Sequence, residues 1–230
     1  MARSPRRITR RDIRKPDQFV AVTGEIFHYV KQNRKAFIGA AVAVVLALVG
    51  LWGWDVYKQR QNQLAAKDYV QAVNLYHAGK YADAVQLFGK AKEYSLSSHS
   101  APALLYQANS YLALGEPAKA AASLQELLHK ERKQSLLRQL GLLSLAYLHE
   151  TAGNCKEAAP RFAEAEKIVA PLTDDAILGK ARCSMETQDR KGALESYRRY
   201  LSSYPAGDRA GEVTLRVQEL EARLAGQDGK

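Results

Sequence analysis

The chain has 230 residues, 34 Lys and Arg against 24 Asp and Glu, two cysteines and a mean hydropathy of -0.34. With 47% apolar and 25% charged residues it is neither a polytopic membrane protein, a collagen-like repeat nor a wholly disordered chain. Two cysteines are too few for a disulfide-framed mini-fold or a four-thiolate zinc site, and the length allows one sizeable core plus a smaller piece.

The net charge of +10 is concentrated at one end. Residues 1–35, beginning MARSPRRITRRDIRKP, carry ten basic and three acidic side chains, whereas the remainder carries 24 basic and 21 acidic. The partner expected for this arm is an anionic lipid surface; nucleic acid is not expected, because no interleaved aromatics and no binding module accompany the charge. Within the arm, Phe19, Val22, Ile26, Phe27 and Val30 share one side at helical spacing after Pro16-Asp17. That pattern reads either as a short amphipathic helix on the cytoplasmic face of a membrane or as an extension of the helix that follows.

Ala36 to Trp54 then runs for 19 residues without a charge, AFIGAAVAVVLALVGLWGW. As a helix it would span about 28 Å, close to the roughly 30 Å of a bilayer core. Lys31, Arg34 and Lys35 flank one end and Trp52, Trp54 and Tyr57 the other, so the reading is a single span with a cytoplasmic N-terminus and everything after Asp55 outside. A cleaved signal peptide fits less well, since 35 residues precede the apolar core and bulky residues end it. A buried helix of a soluble domain would carry a polar face. Small residues at Ala36, Gly39, Ala40, Ala43, Ala47 and Gly50 give the spacing that allows a homodimer through the span.

After a helical connector over 55–63, the chain is rich in Ala, Leu and Tyr at three-and-four spacing. It also repeats. Ala84, Ala120, Ala158 and Ala193 stand 36, 38 and 35 residues apart. Four residues after each comes Phe88, Leu124, Phe162 or Tyr197, and seven after comes Ala91, Leu127, Ala165 or Tyr200. Twelve before each comes Ala72, Ala108, Ala146 or Ala181, and five before comes a turn residue, Gly79, Gly115, Gly153 or Gln188. Physically this is a helical hairpin: alanines let two antiparallel backbones approach, the turn residue ends the first helix, and the large residue fills the gap to the next hairpin.

The segments YHAGKYADAVQLFGKA, LALGEPAKAAASLQEL, ETAGNCKEAAPRFAEA and ETQDRKGALESYRRYLSSYP resemble the tetratricopeptide repeat in its turn and second helix, with Pro205 at the place of its closing proline. The resemblance implies a solenoid of about four hairpins over 64–205; with the arm (1–35), the transmembrane helix (36–54), the connector (55–63) and a capping helix and tail (206–230), the whole chain is expected to be all-α. The departures are Gln188 for a turn glycine, the bulky Leu127 and Tyr200, and Pro160 inside a second helix.

No catalysis, cofactor or metal is expected. His28, His77, His99, His129 and His149 never pair at ligand spacing, and neither a phosphate loop, a dinucleotide fingerprint nor a nucleophile turn occurs. The resemblance implies instead a groove for a protein or peptide, lined by the first helix of each hairpin. The candidates are Tyr69, Val73, Tyr76 and His77, then Leu105, Asn109 and Leu112, then Leu143, Tyr147 and Glu150, and finally Arg182 with Glu186; some of the leucines would serve equally well as core. The repeat subgroup that clamps a C-terminal carboxylate uses Lys, Asn and Arg, of which only Asn109 has a match, so that ligand is not expected.

The layout, with its span ending LWGWDVY, is similar to the bacterial inner-membrane proteins typified by the ancillary subunit of the Sec translocon. That similarity implies a periplasmic repeat domain beside protein export, near periplasmic chaperones. Alternatives are a scaffold for a pilus, cytochrome-maturation or cell-division assembly, or a membrane-tethered regulator acting through the basic arm. In such a stack Cys155 would open one helix and Cys183 would end the next, antiparallel one; they form a disulfide there, or remain two small apolar residues in the seam.

Overall fold

The computed structural model describes residues 31–132, 134–168 and 170–228. The arm residues before Lys31, including the amphipathic segment, lie outside the described residues. The chain divides into two compact units after Tyr57.

In the first unit the described backbone belongs to helix α1 (Arg34–His77), whose N-terminal part is apolar all round. Ile38, Leu46, Leu51 and Trp52 are all exposed. Among the described residues this is the one helix long and apolar enough to cross a membrane. A helix without a polar face has nothing to turn towards water, which is why its apolar side chains point outward in every direction.

The second unit starts with the last turns of α1, which pair with α2 (Tyr81–Glu93). Three further hairpins follow: α3 (Ser100–Ala113) with α4 (Pro117–Lys130), α5 (Leu136–Thr151) with α6 (Cys155–Glu166), and α7 (Thr173–Glu186) with α8 (Arg190–Ser203). Helix α9 (Ala210–Asp228) packs on α8 and closes the stack. All nine helices pack without a strand among the described residues. Pro160 is accommodated inside α6.

The hairpins turn by one device. Gly79, Gly115 and Gly153 have φ of 73°, 74° and 70°, and Gln188 has 63°. Beyond each, a backbone N–H bonds back five residues: Lys80 to Leu75, Glu116 to Tyr111, Asn154 to His149 and Asp189 to Ser184, at 2.8–2.9 Å. This closing bond satisfies a carbonyl that the helix end would leave orphaned. A β-carbon in that backbone region costs about 1 kcal/mol, a cost absent for glycine. Gln188→Gly is therefore expected to raise the unfolding free energy read from urea titration, by at most about 0.5 kcal/mol after the extra unfolded-state entropy of glycine is subtracted.

Packing follows the alanine register. The eight alanines at 72, 84, 108, 120, 146, 158, 181 and 193 have no exposed surface, and Phe88, Leu124 and Phe162 are likewise fully buried. Where the register departs from small residues, Leu127 and Tyr200 are also enclosed, so the stack takes their bulk inward. One further small residue is required by contact. A β-carbon on Gly179 would stand 2.3 Å from the Phe162 ring, so α7 can cross that ring only as glycine.

The first helices of the first, third and fourth hairpins also tether the loop that leads onward along the stack. Asn62 Oδ1 accepts from Ser97 Oγ at 2.9 Å and from the Ser98 N–H at 3.2 Å. Gln139, fully buried, donates to the carbonyls of Ala165 and Ile168 at 3.3 and 3.1 Å and accepts from the Leu172 N–H at 3.3 Å. Asp174 and Asp175 hold Arg209 at 2.5 and 2.8 Å. A covalent link adds to these: Cys155, the first residue of α6, and Cys183, near the end of α7, form a disulfide with a Cα separation of 5.0 Å.

Candidate functional site

The candidate groove residues separate into two groups. At the start of the stack, Tyr69 and Tyr76 both meet Tyr106, at ring-centroid distances of 6.0 and 5.5 Å, and Tyr69 also meets Phe88 at 5.9 Å. Burial, and then the nearby Tyr106, push the Tyr69 hydroxyl above the ordinary tyrosine range. Val73 packs half-buried against the same cluster, and the exposed His77 stands edge-on to Tyr76. Tyr106 is the centre of this group and was missed, since its position on the second repeat's first helix falls outside the expected lining register.

The second group joins α5 to α7. Arg182 donates to both oxygens of Glu150, at 2.7 and 2.9 Å, and its guanidinium lies 5.8 Å from the Tyr147 ring. Tyr147 in turn meets the Phe162 ring at 5.3 Å, which fixes it from behind. Burial raises the Tyr147 hydroxyl above its usual value, and Arg182 draws it partly back. The structure thus brings together Tyr147, Glu150 and Arg182 from two consecutive repeats.

Asn109 is half-buried and Leu112 exposed; among the described residues no ring contact, hydrogen bond or ion pair joins either to these groups. Leu105 is half-buried against the core of the second repeat. Leu143 does not line a groove: it is 4% exposed and belongs to the core with Ala146 and Phe162. Its place in the helix turns it towards the neighbouring hairpin, where an aliphatic side chain gains more from burial than from a solvated face.

Arg182 also lines a recess, a cleft of about 520 Å³ between α7, α8 and α9. Its walls are Arg182, Met185 and Glu186 of α7, Tyr197 of α8, and Glu212, Arg216, Glu219, Leu220 and Arg223 of α9. The sequence pattern reads α9 only as a cap, with Val213, Val217, Leu220 and Leu224 inward; the first three are buried and Leu224 is half-buried, but the neighbouring charged face forms a wall. Burial raises the Tyr197 hydroxyl, with Arg216 and Arg182 opposing and Glu212 adding to the shift, so cationic and anionic groups both stand near it. No group of three or more His, Cys, Asp and Glu able to hold a metal occurs among the described residues. The arrangement presents side chains for recognition.

Comparison with known proteins agrees with this architecture. No curated protein sequence matches the chain. Among solved structures it is similar to a tetratricopeptide repeat protein from Parabacteroides merdae, with 14% identity over 70% of this chain and 61% of that one and a TM-score of 0.59. It is also similar to RapI in its apo form (11% identity, 72% and 70% of the two chains, TM-score 0.56) and to the MamA protein (15%, 71% and 95%, TM-score 0.54). At these identities the likeness concerns the fold. The family model described as a tetratricopeptide repeat-like domain matches residues 28–168, and one described as a tetratricopeptide repeat matches residues 143–208. The chain belongs to the tetratricopeptide-repeat-like family.

Proposed function

We propose that the protein is a non-catalytic scaffold, anchored in a bacterial inner membrane by the apolar part of α1, whose repeat domain binds segments of partner proteins outside the cytoplasm. The observation that carries the binding reading is the strip formed by Tyr147, Glu150 and Arg182, which crosses from one repeat to the next and continues into the α7–α9 cleft. An extended or helical segment laid across first helices meets such a strip at successive repeats. The anchored reading is supported by the exposed apolar helix and by the ten basic residues before it, which suit the anionic inner leaflet. The Cys155–Cys183 bridge suits an oxidising compartment. A place beside the export machinery, handing over emerging chains, is the role this layout favours.

Reporter fusions after residue 60 test the topology: alkaline phosphatase active there, with a cytoplasmic fluorescent reporter dark, is expected. A mature N-terminus downstream of Ala36 would replace the anchor by a cleaved signal. With the topology established, a photo-crosslinking amino acid at position 182 is expected to capture envelope or exported chains; products confined to cytoplasmic proteins would refute the reading.

A further inference from the structure

The cleft between α7, α8 and α9 carries more specific chemistry than the aromatic group at the other end of the stack. Three arginines and three glutamates line it, but they are not equivalent. Arg182 is held by both oxygens of Glu150, and Arg216 and Arg223 both reach Glu219, at 3.5 and 2.6 Å. Glu186 and Glu212 have no cationic side chain within ion-pair distance among the described residues. Glu186 comes within 3.1 Å of Cys155 Sγ, but that sulfur is bonded to Cys183 and has no proton to donate.

A second observation points the same way. Tyr197 lines the cleft with only 8% of its surface exposed, and its hydroxyl has no hydrogen-bond partner among the described residues. The ring is enclosed but the hydroxyl oxygen itself is not sealed off, so it opens on the cleft. Here the oxygen is available to something entering the cleft. Met185 and Leu220 supply apolar wall beside it.

We propose that this cleft receives a lysine or arginine side chain of a partner peptide, its cationic head among Glu186, Glu212 and the Tyr197 hydroxyl and its aliphatic stem against Met185 and Leu220. An ammonium or guanidinium has donors for all three oxygens, and its methylene stem suits the apolar wall. An incoming carboxylate could reach only Arg216 and Arg223, which already share Glu219, and would sit beside two carboxylates without a cationic partner, a like-charge juxtaposition that disfavours it. The assignment rests on the peptide-binding reading above and adds to it the chemistry of the bound residue.

The test uses the full chain in phosphatidylcholine nanodiscs, whose neutral lipid does not itself collect basic peptides. An array of randomised peptides is screened first; a selected peptide is then titrated beside versions with norleucine or glutamate in place of its basic residue. Bound peptides are expected to be enriched in Lys and Arg. The norleucine version is expected to bind about tenfold or more weakly, the scale of one charge-assisted hydrogen-bonded group. Glu186→Gln combined with Glu212→Gln should erase that difference, bringing the basic peptide down to the affinity of its norleucine version, with the melting temperature confirming that the variant is folded. Enrichment in Asp and Glu, or a basic preference that survives the double substitution, would overturn the assignment and leave peptide binding standing. Failure of every peptide to bind would overturn both.

Discussion

Cys155→Ala together with Cys183→Ala is expected to lower the stability of the third and fourth hairpins by about 3–4 kcal/mol. The bridge joins residues 28 apart in sequence, and closing a loop of that size removes roughly this much conformational freedom from the unfolded chain. Both cysteines are buried, at 3% and 0% exposure, and alanine is of similar size, so the change acts chiefly through the lost link rather than through a cavity. Repeat stacks hold each hairpin through its neighbours alone, which makes the loss local. Hydrogen exchange checks it: protection in α6, α7 and α8 should fall, with that of α2 and α3 little changed. The same chain made where thiols stay reduced should behave like the double variant.

The other large effect is expected at Gln139. Gln139→Leu keeps the volume of the side chain and removes its amide, leaving the Leu172 N–H without a partner, whereas the Ala165 and Ile168 carbonyls keep the Ile168 N–H and the Thr173 hydroxyl. An orphaned buried group costs about 1–3 kcal/mol, reduced where water can reach it. Leu172 is half-buried, so about 1–2 kcal/mol is expected, read from urea unfolding and from faster exchange at the start of α7. A useful contrast is Gln107, also buried, whose Nε2 donates to the Val85 carbonyl and whose Oε1 accepts from Ser123 Oγ. There Gln107→Leu with Ser123→Ala removes a mutual pair and should cost much less.

The difference between these two glutamines shows what the sequence discloses and what it withholds. Alanines at 72, 84, 108 and 120 announce themselves because close approach of two helices admits nothing larger, so their spacing is the packing itself. Gly79, Gly115 and Gly153 announce the turns for the same reason, and Gln188, standing in their register, takes their backbone conformation without being a glycine. Gln139 is silent. A buried amide looks like any surface glutamine until the loop it holds is folded around it. The candidate site was readable to a similar depth. Tyr147, Glu150 and Arg182 follow from the register of the first helices, because residues at one register position of consecutive repeats stack side by side. The cleft beyond them needs α9 placed against α8, and nothing in the charge pattern of a capping helix distinguishes a solvated face from a wall. Leu143 shows the converse limit, since register alone cannot say whether a leucine at the edge of a groove turns into it or away.

The loop tethers differ in chemistry from joint to joint, and that difference sets the order in which the stack would come apart. Asn62 and Gln139 hold their loops with uncharged groups, whose strength changes little with dissolved ions. The last joint depends on Arg209 and two aspartates, all partly open to water, and added salt screens them. In concentrated brine the 204–209 stretch should therefore be the first loop to loosen and to admit proteases, while Val213, Val217 and Leu220 keep α9 packed on α8, since salt does not weaken apolar burial. Ionic strength thus acts on the one joint held by charge and leaves the others closed.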